Sequence, residues 1–267
     1  MTIPLDHTPF SSPFTGTGAR TGVLISHGFT GSPWAVREWA ASLADAGFAV
    51  RAPLLPGHGT SWQELARIHW RDWHAALDAA YLDLAGDCEQ VIVAGLSMGG
   101  ALALRIAATR PVAGAVVVNP GLIIDDRRAP LAGILKFVVK STPAIANDIL
   151  KEGIDEGAYP RTPVAAAYEL NKMFKDTVRL LPRITVPVRV YRSAVDHVVS
   201  ESSMVALRRG LTHAPLEVIR LENSYHVATM DNDAPEIFRG TAEFIRSLGA
   251  AGGPDAAHAS QKDTADD

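Results

Sequence analysis

The sequence predicts an α/β fold with a mostly parallel central sheet and helices on both faces. Short apolar segments that suit buried strands alternate with longer segments of helical periodicity. A length of 267 residues is compatible with one such domain. The predicted strands are residues 23–26, 48–52, 91–94, 115–118, 188–191 and 216–221.

The first predicted helices follow these strands at residues 33–46, 69–85 and 98–109. Ser32 is a favourable N-cap and Pro33 suits the first helical position. Arg20 and Thr21 are a candidate edge strand. The elements predict one domain over residues 1–248, followed by a small, polar tail at 249–267 that is expected to be disordered.

Residues 93–100, Val-Ala-Gly-Leu-Ser-Met-Gly-Gly, carry the most informative motif. They contain G-x-S-x-G between a predicted strand and a predicted helix, which is the context of a nucleophile elbow. The flanking glycines have no Cβ, so strand and helix can approach closely and lift the Ser97 hydroxyl out of the sheet. A chance match is expected in roughly one chain in ten of this length, so the interpretation depends on other residues.

Asp196 and His226 supply the partners that a serine nucleophile needs. Each follows the end of a predicted strand, in the order Ser…Asp…His. A serine hydroxyl needs an imidazole to take its proton and a carboxylate to hold the imidazole in one tautomer. The order therefore predicts Ser97 as nucleophile, His226 as base and Asp196 as acid.

Other carboxylates and imidazoles of the chain are alternatives for these roles. Asp125 or Asp126, after the strand at 115–118, is the alternative acid. Asp196 is favoured because its short loop directly precedes the last strand and His226. Among the nine histidines, His197 is expected to point elsewhere, and His58 to be structural or to lie near a pocket rim.

These motifs resemble the small bacterial carboxylesterases and monoacylglycerol lipases of the α/β-hydrolase superfamily. The similar segments span residues 22 to about 248 and are His27-Gly28-Phe29-Thr30-Gly31, Gly57-His58-Gly59-Thr60, Gly95-Leu96-Ser97-Met98-Gly99-Gly100, Asp196-His197-Val198-Val199 and Asn223-Ser224-Tyr225-His226-Val227-Ala228-Thr229. The resemblance implies the α/β-hydrolase fold, a Ser97–Asp196–His226 triad and no cofactor. It also implies an oxyanion hole formed by the backbone N–H groups of Phe29 and Met98.

The same resemblance suggests which residues meet the alcohol side of a substrate. It points to Glu156, with Asn119 nearby. The sequence departs from the family pattern close to both, where Pro120-Gly121 follows Asn119 and Pro160-Arg161 follows Tyr159. The structural alternative for Glu156 is a solvated charge on a loop.

An insertion at about residues 121–186 interrupts the alternation of strands and helices. A simple crossover between two parallel strands needs far fewer residues. Apolar residues recur at helical spacing over 131–139, including Ile134, and again over 164–174. We interpret the insertion as a helical cap at the edge of the sheet where ligands bind, with Ile134 in an acyl pocket. The alternative is an ordinary extra pair of core helices.

Composition and short motifs exclude several other classes. A net charge of −4 does not favour nucleic acid or an acidic membrane as partner. The single cysteine excludes an internal disulfide, and no C-x-x-C or H-E-x-x-H pattern indicates a metal. No signal-peptide pattern and no apolar run of ~20 residues is present, so we expect a cytoplasmic protein with no integral membrane segment. The oligomeric state stays open.

Together these features predict a cofactor-independent serine hydrolase of carboxylic esters. The expected substrate is a small-molecule ester with a medium acyl chain and a small alcohol, such as a monoacylglycerol. The alternatives are an acyltransferase with the same triad and a non-catalytic ligand-binding protein of this fold. Dehalogenase and epoxide hydrolase chemistry is disfavoured because both need a carboxylate where Ser97 stands.

Overall fold

The central sheet of the protein is mostly parallel, as predicted. The structure is a computed structural model that describes residues 5–125, 139–144 and 146–251. Within these ranges, seven strands form one sheet in the order β1-β3-β2-β4-β5-β8-β9. The strands are β1 Phe10–Ser12, β2 Thr21–Ser26, β3 Ala49–Ala52, β4 Gln90–Leu96, β5 Gly114–Val118, β8 Val188–Ser193 and β9 Leu216–Leu221. Two further strands, β6 Ser141–Pro143 and β7 Arg161–Pro163, pair with each other.

The edge strand differs from the prediction. Thr21 begins β2, which pairs with β4 on one side and β3 on the other and is therefore interior. The edge strand at this end of the sheet is β1, which pairs antiparallel with β3. A three-residue strand shows no periodicity, and its pairing partner lies about 40 residues away, so local sequence could not reveal it.

Helices cover both faces of the sheet. They are α1 Arg37–Asp45, α2 Trp62–Leu65, α3 Trp70–Asp87, α4 Met98–Thr109, α5 Val164–Leu180, α6 Glu201–Gly210 and α7 Ala234–Ala251. The predicted helix at 33–46 starts as a 3₁₀ turn, Pro33–Val36, in which Ser32 Oγ accepts from Trp34 N. Helix α7 continues to Ala251, so the expected tail does not begin at 249, and residues 252–267 lie outside the described ranges. No described helix has the length and apolarity needed to cross a membrane.

Strand β4 shows why the sequences of the central strands are continuously apolar. Val91 and Val93 pack into the core under α3 and α4, whereas Ile92, Ala94 and Leu96 pack into the core on the opposite face. Alternate side chains of a strand point to opposite faces, so a strand covered on both faces needs apolar residues at every position.

The described part of the insertion contains the β6–β7 ribbon and helix α5. The helix begins at Val164, as predicted, and packs against α3 and α4 with Met173 and Phe174 buried in the core. Leu170 and Phe174 also line the cavity at Ser97, so α5 is both a core helix and a cavity wall. The apolar stretch that contains Ile134 lies outside the described residues.

The turn between β4 and α4 places Ser97 at the end of the sheet. A Cβ on Gly95 would lie 2.2 Å from Gly99 O, and a Cβ on Gly99 would lie 2.1 Å from Ser26 O. Real Cβ atoms do not approach backbone this closely. Backbone therefore packs directly on backbone at both glycines, which is the physical reason for the G-x-S-x-G spacing.

Gly95→Ala is expected to destabilise the protein by about 3 kcal/mol or more, since the obstructing atoms are backbone and cannot rotate away. The matched control is Gly86→Ala in α3, where a Cβ would meet no described atom within 4 Å. This control should gain about 0.5–1 kcal/mol from helix propensity. Urea unfolding measures both free energies, and equal midpoints for Gly95→Ala and the wild type would contradict the explanation.

Candidate active site

Ser97 occupies a strained turn whose backbone is bonded on both sides. Its φ is 56° and its ψ is −116°, a conformation that L-residues rarely adopt. Its N–H donates to Val118 O at 2.9 Å, and its carbonyl accepts from Gly100 N at 3.0 Å and Gly121 N at 3.2 Å. The end of β5 and the first turn of α4 therefore hold Ser97 where it lines a cavity.

Asp196 and His226 are brought together at the ends of β8 and β9. These strands are parallel neighbours, so the loops that follow them lie side by side. Asp196 Oδ2 and His226 Nδ1 are 3.1 Å apart, and the two side chains are 1% and 7% exposed. Because Nδ1 faces the carboxylate, Nε2 is the ring nitrogen left for Ser97. No hydrogen bond joins Ser97 and His226 within the described structure, but both line one cavity, and such bonds often tighten only with substrate.

The environment of Asp196 keeps its carboxylate ionised. Oδ1 accepts from Val198 N at 2.9 Å and Val199 N at 2.8 Å, and Arg192 donates to Oδ2 at 2.5 Å. Burial by itself would raise the pKa of Asp196. The hydrogen bond and charge of His226, together with the two backbone N–H groups, outweigh burial and hold this pKa below its usual value. An ionised, immobile carboxylate can fix one tautomer of His226.

The other candidate acid and base residues have different partners. Asp125 accepts from the hydroxyls of Ser200 and Ser202, while Asp126 lies outside the described residues. His197 points away from Asp196, and its Nδ1 pairs with Asp148 at 2.7 Å.

Asn119 bonds to the backbone of the His226 loop and is not among the described residues that line the cavity, so its placement does not match the expected substrate contact. The residue is fully buried, and its Nδ2 donates to Ser193 Oγ and His226 O, both at 2.9 Å. Its Oδ1 accepts from Ser193 N at 2.9 Å. Its amide therefore ties β8 to the loop of His226. Sequence placed Asn119 after a strand but could not show to which side its amide points.

Phe29 and Met98 line the same cavity as Ser97. A Cβ on the neighbouring Gly28 would lie 3.6 Å from Ser97 Cβ, so this loop passes close to the nucleophile. Within the described part of the chain, neither the Phe29 N–H nor the Met98 N–H makes a hydrogen bond. Met98 is the first residue of α4, where N–H groups have no intrahelical partner and the helix dipole favours negative charge.

The cavity at Ser97 has a volume of about 470 Å³, which is suitable for a small molecule. Polar and apolar side chains share its wall. The polar residues include Thr30, Asp125, Asp148, Glu156 and Ser200, and the apolar residues include Ile123, Ile124, Leu170, Phe174 and Val198. The arrangement can hold an apolar chain and a polar group on the same nucleophile.

Glu156 lines this cavity and is anchored to the backbone of the insertion. Its Oε1 accepts from Asn147 N at 2.6 Å, and Asn147 Oδ1 accepts from Glu156 N at 2.9 Å. Oε2 makes no hydrogen bond within the described residues. Burial raises the pKa of Glu156, although the Asn147 N–H and the charge of His226 act in the opposite direction. Glu156 is therefore a partly shielded carboxylate with one oxygen left for a ligand.

Asp148 is a cavity residue that sequence reasoning missed. Its carboxylate contacts both the Asp196–His197 loop and the His226 loop. The local sequence, Asn147-Asp148-Ile149, has no motif to mark it, and its partners are about 50 and 80 residues away.

Two buried histidines support the loop of Phe29. His27 Nδ1 lies 2.9 Å from Gly28 O, and its Nε2 accepts from Leu55 N at 3.2 Å, which fixes a neutral tautomer. The His58 ring lies edge-on to His27 at 4.9 Å. Burial lowers the pKa of His27 to about 4 and that of His58 well below its usual value. His58 is therefore structural, which was one of the two alternatives given for it from the sequence.

The lowered pKa of His27 predicts acid sensitivity of the fold. Between pH 6.5 and about 4 the unfolded chain binds a proton at His27 and the folded chain does not. Stability is therefore lost as the pH falls through this range, by about 1.4 kcal/mol per unit for each such histidine. His27→Gln should flatten the dependence of the unfolding free energy on pH. The exposed His213→Gln is the control, and an equal slope in the two variants would contradict the prediction.

Comparisons with known proteins agree with the fold. Residues 23–264 match the alpha/beta hydrolase family. A thermostable monoacylglycerol lipase of Bacillus sp. (strain H-257) is 35% identical over 236 residues, 88% of this chain and 94% of that protein. A carboxylesterase of Bacillus subtilis (strain 168) is 26% identical over 239 residues, 88% of this chain and 96% of that protein.

Solved structures show the same architecture. A structure reported for LipS and LipT, two metagenome-derived lipolytic enzymes, has a TM-score of 0.86 and 37% identity, covering 92% of this chain and 100% of that one. A soluble variant of monoglyceride lipase from Saccharomyces cerevisiae has a TM-score of 0.74 over 90% of this chain and 91% of that one, but at 14% identity it shows the fold alone. The sequence match, the sheet order and the elbow at Ser97 agree: this chain belongs to the α/β-hydrolase family.

Proposed function

We propose that this protein is a serine ester hydrolase of the carboxylesterase and monoacylglycerol lipase type. The observation that carries the proposal is the convergence on one cavity of Ser97, the Asp196–His226 pair and two N–H groups that have no partner among the described residues. The likeness to a monoacylglycerol lipase at 35% identity supports the same chemistry. The cytoplasmic location expected from the sequence stays a prediction.

The proposed reaction runs through an acyl-enzyme. Ser97 Oγ attacks the ester carbonyl carbon while His226 Nε2 takes the hydroxyl proton. The oxyanion that forms accepts hydrogen bonds from Phe29 N and Met98 N. When the intermediate collapses, the carbon–oxygen bond to the alcohol breaks, and His226 gives its proton to the leaving oxygen.

Water then completes the cycle by the same groups. His226 takes a proton from water, and the hydroxide attacks the acyl carbon, whose oxygen accepts hydrogen bonds from the same two N–H groups. Collapse returns the proton to Ser97 Oγ and releases the carboxylic acid. Asp196 stays ionised and stabilises the imidazolium in both halves. These steps use only groups of the protein and water, so the proposed reaction has no cofactor.

The apolar wall of the cavity favours a medium acyl chain. Leu170 and Phe174 of α5 face the same space as Ile123 and Ile124 after β5. Each buried methylene contributes about 0.8 kcal/mol, so a chain of several carbons adds substantial binding free energy. Ile134 stays a proposed member of this acyl pocket.

Glu156 is proposed to bind the alcohol side of the substrate. Its Oε1 is held by Asn147, which leaves Oε2 as an acceptor for glycerol hydroxyls. A hydrogen bond to a charged acceptor contributes about 1.5–3 kcal/mol. Such a bond would distinguish a monoacylglycerol from an ester whose alcohol has no further hydroxyl group.

Ser97→Ala should leave the protein folded and lower ester hydrolysis by about 10⁴-fold or more, because the covalent intermediate can no longer form. A serine-directed phosphonate should add one equivalent to the wild type on Ser97, as measured by mass spectrometry of peptides. Ser224→Ala is the control and should react normally. Labelling of Ser193 or Ser224 in the wild type would overturn the assignment.

Glu156→Ala should lower kcat/KM for monoacylglycerol by about tenfold or more and spare p-nitrophenyl esters, which have no alcohol hydroxyl group to bind. Glu156→Gln separates the two functions of the carboxylate, which are the bond to Asn147 N and the proposed bond to the alcohol. The amide oxygen of the variant can still accept from Asn147 N. Steady-state kinetics on both substrate types decide the result. A parallel fall on both substrates, or no fall on either, would show that Glu156 does not bind the alcohol.

A further inference from the structure

The carboxylate of Asp148 joins the two loops that carry Asp196 and His226. Oδ2 accepts from His226 N at 3.2 Å and from His197 N at 3.1 Å, and Oδ1 lies 2.7 Å from His197 Nδ1. The Asp148 side chain is 10% exposed and lines the cavity. One shielded carboxylate thus contacts the backbone of the candidate base and the residue after the candidate acid.

The backbone around Asp148 is held to the same loop. Asp148 O accepts from Val227 N at 3.1 Å. In the opposite direction, Asp231 Oδ2 accepts from Leu150 N at 2.7 Å and Tyr225 N at 2.9 Å. Residues 147–151 of the insertion are therefore bonded to the His226 loop at His226, Val227 and Asp231, and Asp231 in turn holds Tyr225.

The contacts of Asp148 lie where the relative position of two proposed catalytic residues, Asp196 and His226, matters for the reaction. Asp196 and His226 lie in the loops that follow two different strands, β8 and β9, and the hydrogen bond between them constrains only their side chains. Asp148 adds a bond at the His226 backbone, and hydrogen bonds to a charged acceptor are the stronger ones. A displacement of about 1 Å at a reacting group can cost about 100-fold in rate.

We propose that Asp148 is a positioning residue that holds His226 at the distance from Ser97 and Asp196 needed for proton transfer. The inference rests on the proposed Ser97–Asp196–His226 triad. Asp148 acts through the N–H of His226 and through His197, and it neither donates nor accepts a proton in the reaction. The insertion thereby contributes to catalysis as well as to substrate binding.

The test compares Asp148→Ala, Asp148→Asn and Asp155→Ala on p-nitrophenyl butyrate. Asp155 is the matched control, because it lies in the same segment and accepts from a backbone N–H, that of Gly157, but contacts neither loop. Asp148→Ala should lower kcat about tenfold or more with KM within about twofold of the wild type, since proton transfer and not binding is affected. Asp155→Ala should keep both constants.

Asp148→Asn tests for a recovery of kcat that a general loss of structure would not produce. Its amide oxygen can still accept from the N–H groups of His226 and His197, so kcat should recover several-fold relative to Asp148→Ala. The rate at which a phosphonate labels Ser97 should follow the same order, because labelling also depends on His226 as base. Circular dichroism confirms that each variant is folded.

The inference is overturned if folded Asp148→Ala keeps the wild-type kcat, if only its KM changes, or if Asp155→Ala loses as much activity. These results are distinct from failure of the proposed function. An active Ser97→Ala variant would contradict the proposed triad. An inactive Ser97→Ala variant together with a fully active Asp148→Ala variant would contradict only the proposed role of Asp148.

Discussion

The direct packing of backbone on backbone at Gly95 and Gly99 is the contact on which the site depends. It brings the start of α4 against the end of β2, where a side chain of one carbon would already collide with Ser26 O. Ser97 must then take a positive φ, which turns its side chain into the cavity. The same contact brings the start of α4 close to the loop of Phe29, so the proposed nucleophile and one of the two proposed oxyanion donors, Met98 N, lie on one turn, and the other donor lies on the neighbouring loop.

His226 is held by carboxylates on two sides. Asp196 binds its ring and Asp148 binds its backbone, while Asn119 binds its carbonyl. The buried polar groups of this region thereby satisfy one another, which limits the free energy lost on removing them from water. Arg192 completes the network because it balances the charge of Asp196. The result is an imidazole with little freedom to move, placed between a serine and an acid.

The insertion serves stability and specificity with the same elements. Helix α5 buries Met173 and Phe174 in the core against α4, yet Phe174 and Leu170 also form the apolar cavity wall. The segment before α5 carries Glu156 and Asp148, one toward the proposed alcohol site and one toward the His226 loop. A substitution that changes the shape of the proposed acyl pocket at Leu170 or Phe174 is therefore expected to change fold stability too, because both side chains also belong to the core.

Local sequence was sufficient to predict the features that depend on residues close together in the chain. The alternation of strands and helices, the elbow at Ser97 and the positions of Asp196 and His226 after parallel strands follow from short patterns, because strand periodicity and glycine geometry act over a few residues. The β1 edge, the inward amide of Asn119 and the bridge made by Asp148 needed the folded structure. Each of these depends on partners about 40 to 110 residues away. Contacts over that separation are set by how strands order and loops meet in space, which no local pattern contains.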